Sequence, residues 1–191
     1  MSSHELPPLA GEDHLCESCG LVYRDIKIED AVEVIMGLPA ALREAVFAIP
    51  LEARPVRPSA QEWSVNEYVC HLRDVYMAST IRLHRTRTED RPELEPLFND
   101  LRARRFRYNE REAAAVIDEL ASVIAGFRDE VDRTAGPQWD RTATRLPGES
   151  RTARWLVRQA MHEGVHHLAD IRRVGSIVTT DQRAPGSATS L

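Results

Sequence analysis

The chain lacks any apolar run approaching the roughly 18–20 residues of a membrane span, and its N-terminus lacks the apolar core of a signal peptide. The reading therefore excludes a membrane-spanning helix, and the cytoplasm is the expected compartment. Cysteine is scarce, with only Cys16, Cys19 and Cys70 in 191 residues, which is no disulfide framework. Lysine is scarcer still: Lys27 is the only one, so arginine carries nearly all the basic charge, a bias expected of a GC-rich genome. The formal net charge of −5 argues against a general nucleic-acid surface. Strand-like alternation and internal repeats are also missing, which points to an all-α protein. A composition of 42% hydrophobic and 29% charged residues is ordinary for a globular domain, and the length suits one domain with a sizeable core.

What is present is helical periodicity. Residues 1–27 stand apart as an irregular extension rich in turn formers, and Ile28–Met36 and Leu38–Ile49 then carry apolar residues at helical spacing. Pro39 suits the first turn of the second piece, so a broken first helix is expected. The prolines at 50, 55 and 58 interrupt the chain. Ser64 with Glu67 forms a capping box that opens a second helix. Val65, Val69, Leu72, Tyr76 and Leu83 are its buried stripe, beside a row of Glu67, His71, Ala78 and Arg82. Residues 90–110 read as a long connection with a helical turn near Asn99–Phe106, a length that often marks a functional segment. Glu112–Thr134 is a third helix ended by Gly136-Pro137, and Pro147-Gly148 marks a turn in the loop beyond. Trp155–Val174 is a fourth, with 179–191 as a flexible polar tail. The expected domain is thus 28–178.

Candidate chemistry concentrates on the last helix, in the run His162-Glu163-Gly164-Val165-His166-His167. His162 and His166 are four apart, so both imidazoles can reach one metal ion, with Asp170 continuing the row as an orienting or ligating carboxylate. His167 borders the apolar stripe and is read as a core residue. The run also matches the zincin protease pattern, but Ala169 and Arg172 stand where a metzincin needs glycine and histidine. No later glutamate replaces them, so Glu163 is read as structural or solvent-facing. His71 on the second helix is the third ligand expected to join the pair. Cys70 is turned away from that row and is read as packing. A second zinc is a candidate at Cys16-x-x-Cys19 with His14, and His4 nearby; a loop bearing two free thiols is the alternative.

The pattern Trp63-Ser64-x-x-Glu67-x-x-x-His71-Leu72-x-Asp74, followed by His162-x-x-x-His166-His167-x-x-x-Ile171, resembles the DinB-like (YfiT-like) superfamily of metalloenzymes over about residues 28–178. The resemblance implies an antiparallel four-helix bundle with one divalent metal, zinc or nickel, on His71, His162 and His166. It further implies a thiol-dependent S-transferase or isomerase using mycothiol or bacillithiol on a small electrophilic substrate, since a metal can hold a thiol deprotonated. Arg82 is placed to bind a substrate carboxylate, an exposed salt-bridge arginine being the alternative. A metal-dependent hydrolase and a non-enzymatic metal-binding stress-response module remain open. The partners expected are a small-molecule thiol and its electrophile, with a homodimer as an option and neither nucleic acid nor membrane.

Overall fold

The computed structural model describes residues 8–183, with side chains to Thr180; His4 and residues 184–191 lie outside the described residues. Five helices dominate: α1 (Ile28–Phe47), α2 (Val65–Thr88), the short α3 (Asn99–Arg105), α4 (Ala113–Asp132) and α5 (Ala153–Arg183). The only strands among the described residues are the two-residue pair β1 (Thr142–Ala143) and β2 (Arg151–Thr152), which flank the Pro147-Gly148 turn.

Each helix forms where an apolar stripe can be buried. α1 buries Ala31, Ile35, Leu38, Leu42 and Val46, a 3.6-residue row. It runs unbroken through Pro39, contrary to the expected break. A mid-helix proline costs about 3 kcal/mol, and burial of the large stripe residues at about 1.5–3 kcal/mol each outweighs that. α2 starts at the expected capping box: the Ser64 hydroxyl accepts from the Glu67 N–H, and the Ser64 N–H donates to the Glu67 carboxylate. Arg57 clamps the same carboxylate with two hydrogen bonds of 2.7 and 2.6 Å. At α4 the Glu112 side chain caps the N–H groups of Ala114 and Ala115. α5 continues past Val174 to Arg183, so the first residues of the expected tail are helical. Val178 is buried one turn beyond Val174, which extends the apolar row.

The four long helices close a ring in which α1 touches α5 and α4, and α2 touches α4 and α5. Consecutive partners α1 and α2 therefore lie diagonally across the bundle, as do α4 and α5. Leu38 packs at Gly164 and Ile49 at Gly175, so α1 and α5 run parallel. On the other side His71 meets Glu163 while Tyr76 meets Ala160, so α2 and α5 run antiparallel. α2 and α4 ascend together, from Arg73–Glu119 to Arg87–Glu130. A parallel neighbour requires the chain to return along the bundle, which explains the long 89–112 connection. That connection is tied to α2 at Asp74, a buried carboxylate that accepts from Arg73, Arg102 and the Tyr108 hydroxyl. Burial opposes the charge on Asp74, but these donors hold its pKa below the usual carboxylate range.

Gly164 sets the α2–α5 and α1–α5 spacing. A methyl group there would lie 2.7 Å from the Tyr76 hydroxyl and 2.8 Å from Leu38 Cδ2. Tyr76, fully buried, donates from that hydroxyl to the Ala160 carbonyl at 2.9 Å. No helix is long and apolar enough to cross a membrane among the described residues.

The extension is docked onto the bundle. Arg151 donates to the carbonyls of Leu9 and Ala10, Trp155 Nε1 to that of Gly11, and Arg158 to that of Ile26. Tyr23 is 1% exposed.

Candidate metal centre

α5 presents two adjacent rows of ligand-type side chains. Because successive residues are turned by about 100° on a helix, the 162/166 pair and the 163/167 pair face different neighbours. The structure separates them. Glu163 and His167 turn towards α2, where they meet His71; His162 and His166 turn towards the extension, where they meet Cys16 and Cys19. The three histidines singled out in the sequence are thus divided between two groups, and His14 belongs to neither.

In the first group, ligand atoms of His71, Glu163 and His167 all lie within 4.8 Å of one another. Glu163 Oε2 is 3.6 Å from His71 Nε2 and 3.2 Å from His167 Nε2. Ligands bonded at about 2.0–2.2 Å to one tetrahedral ion are themselves about 3.3 Å apart, so the spacing fits a single divalent ion. His71 is 4% exposed, boxed by the rings of Trp63 and His167 at centroid distances of 5.0 Å. His167 Nδ1 stands 3.0 Å from Asp170 Oδ2; with the proton on Nδ1, Nε2 is left to face the ligand position. Gln159 donates to Glu163 Oε1 at 2.8 Å, which leaves Oε2 turned to the histidines.

The electrostatics follow from burial and charge. Burial lowers the pKa of His71, with Glu163 opposing only in part, so its imidazole is neutral. Burial also disfavours charge on His167, yet the hydrogen bonds to Asp170 and Glu163 win and lift its pKa to about 9. Glu163 is held far below the usual carboxylate range: burial raises its pKa, and the His167 and His71 contacts more than offset that. Asp170 falls to about 2, the His167 and Arg173 bonds overcoming its burial. Without a metal this is a pre-formed anion–imidazolium cluster, and binding a cation there must displace a proton.

A cavity of about 1130 Å³ opens beside this group, lined by His71, Glu163, Arg82, Arg104, Arg145 and the crossover residues Leu97–Leu101, and walled on one side by Pro8–Ala10, His14 and Tyr23 of the extension. Arg82 faces it half-buried and donates to the Glu95 carbonyl at 2.5 Å. Cys70 is 1% exposed, its thiol directed at the Tyr108 carbonyl at 3.7 Å. Burial pushes its pKa up to about 12, so it is the packing residue expected and no nucleophile.

Sequence reasoning passed over Glu163 and His167. The signal was present: Glu163-x-x-x-His167 has the same i,i+4 spacing as His162-x-x-x-His166, and a one-residue rotation decides which pair meets His71.

A four-helix bundle in which facing helices bring two imidazoles and a carboxylate together, with His71 and Glu163 on the wall of one cavity, is the architecture of bundle metalloproteins. The family model of the DinB superfamily matches residues 37–171, and the chain belongs to that superfamily. Its fold is similar to that of YfiT from Bacillus subtilis, described as a probable metal-dependent hydrolase with an unusual four-helix bundle topology. The similarity has a TM-score of 0.75 at 17% identity, over 88% of this chain and 93% of that one. No curated protein matches the sequence.

Proposed function

We propose that this protein is a metal-dependent enzyme in which His71, Glu163 and His167 hold one divalent ion, zinc or nickel, and that it hydrolyses small anionic substrates. The observation that carries the reading is the convergence of two imidazoles and one carboxylate within 4.8 Å beside a cavity of about 1130 Å³. A divalent ion on two histidines and a glutamate supplies Lewis acidity and an acidified water at an open position, the donor set of several zinc hydrolases. The protein's own groups do the rest. Asp170 fixes the tautomer and ring direction of His167, and Gln159 fixes the carboxylate of Glu163. Arg82, Arg104 and Arg145 give one side of the cavity a positive field that suits a carboxylate or phosphate on the substrate. The superfamily relative described as a probable metal-dependent hydrolase supports the same reaction class.

Thiol transfer of the mycothiol type is the second reading. It is favoured by the size of the cavity, which can seat a thiol cosubstrate beside a small electrophile, and by Cys70 being too buried to serve as an internal thiol. Metal-loaded protein assayed on anionic esters and amides, with and without low-molecular-weight thiols, tests both. Hydrolysis without thiol supports the first reading, and turnover only with thiol replaces it by the second. Equal turnover in the metal-free protein overturns both.

A further inference from the structure

A second group of ligand-type side chains lies on the neighbouring row of α5, with His162 on the wall of the same cavity. Cys16, Cys19, His162 and His166 have ligand atoms all within 4.8 Å of one another, drawn from two segments nearly 150 residues apart. The extension forms a tight knuckle around the cysteines. The Cys16 N–H donates to the Leu21 carbonyl at 2.9 Å, and the Gly20 N–H returns to the Cys16 carbonyl at 2.8 Å. Gly20 has φ +69°, a left-handed turn for which glycine is the natural residue.

The histidines present matching atoms. His162 Nδ1 is 2.9 Å from the Tyr23 hydroxyl, while its Nε2 is buried with no hydrogen-bond partner. A buried ring nitrogen left unpaired is costly, and a bond from that nitrogen to an ion would satisfy it. His166 faces Cys16 Sγ with Nδ1 at 3.6 Å and Asp170 Oδ2 with Nε2 at 3.6 Å. Tyr23 is thus an outer hydrogen-bond partner of the kind that orients metal-bound imidazoles in many sites, and Asp170 stands beside His166 as an ionic neighbour.

We infer that Cys16, Cys19, His162 and His166 form a second, closed metal site, a four-ligand zinc site that fastens the N-terminal segment to α5. Two thiolates and two imidazoles are a structural zinc set, with no coordination position left for substrate. The bound segment is also a wall of the cavity, through Pro8–Ala10, His14 and Tyr23, so the ion would hold the rim of the functional site in place. Asp170 touches both groups, at His166 and His167, which sets the two ions on neighbouring rows of one helix.

The test uses the full chain loaded with cobalt(II) under reducing conditions, read by metal analysis and visible–ultraviolet absorption. Wild-type protein is expected to hold two ions per chain and to show a sulfur-to-cobalt charge-transfer band. Cys16→Ser/Cys19→Ser should drop to one ion, lose the band and keep its helical circular dichroism. His71→Ala should also drop to one ion but keep the band, so a failure at His71 is distinguishable from a failure here. Because the wild-type band needs no variant, a folding defect in either variant leaves the proposal falsifiable. Absence of the band in cobalt-loaded wild-type protein would overturn it, as would a wild-type chain that binds a single ion lost on replacing His71.

Discussion

Replacing Glu163 by glutamine keeps the side-chain volume and removes the charge on which the candidate centre turns. Two effects oppose each other. The variant loses an anionic ligand, which should cost more affinity than the 10–100-fold typical of an outer-shell partner. It also relieves proton competition. His167 is lifted to about 9 by Asp170 and Glu163 against its burial, so near pH 7 only about one chain in a hundred presents a neutral imidazole. With Glu163 neutralised, the His167 pKa should fall by about 1–2 units, returning roughly tenfold of the lost affinity at pH 7. The deficit of Glu163→Gln should therefore be largest above pH 9 and about tenfold smaller at pH 7. Zinc competition against a chromophoric chelator between pH 6.5 and 9.5, in a Cys16→Ser/Cys19→Ser background so that one site reports, measures this directly. Wild-type affinity in Glu163→Gln at pH 9.5, or a deficit independent of pH, would refute the reasoning.

Further outcomes follow from the same geometry. In the same Cys16→Ser/Cys19→Ser background with Glu163 intact, zinc affinity should rise about tenfold per pH unit from 7 to 9 and then level, since binding displaces the His167 proton; a flat profile would mean that His167 is not a ligand. Gly164→Ala should destabilise the fold by about 1–3 kcal/mol through overpacking against Tyr76 and Leu38, read as a melting temperature lower by several degrees; an unchanged value would show that the helices are not in that close contact. Arg82→Ala should raise KM for anionic substrates about 10–100-fold, the range of a lost charge-assisted hydrogen bond, with kcat little altered; equal losses for neutral substrates would count against a charge-reading role. Cys70→Ala should leave metal content and turnover intact, and loss of turnover in a correctly folded variant would make the thiol chemical after all.

The bundle was legible because its signals are local and periodic. The Ser64–Glu67 capping box, the α4 stripe and the turn at Gly136-Pro137 each act through neighbouring residues, and the apolar rows fix which faces are buried. Pro39 was misread because tertiary burial along α1 exceeds the cost of one lost hydrogen bond. Which helices lie side by side was not legible, since a parallel α1–α5 pair depends on which stripes meet across the bundle. In the candidate site, His71 was singled out from its row on α2, but which residues of α5 meet it depends on a 100° choice between interleaved pairs. Periodicity alone cannot make that choice, because Glu163 and His167 satisfy the same spacing as His162 and His166. The cysteine knuckle was noted, yet the α5 histidines beside it lie nearly 150 residues away and are brought to it by the docking of the extension onto α5.

Anomalous diffraction from crystals of the zinc-loaded full chain tests the central claim most directly. A peak is expected at about 2.0–2.2 Å from His71 Nε2, His167 Nε2 and a Glu163 carboxylate oxygen, facing the cavity. A zinc-loaded crystal with no peak at that position, or with the ion bound by His71, His162 and His166 instead, would contradict it.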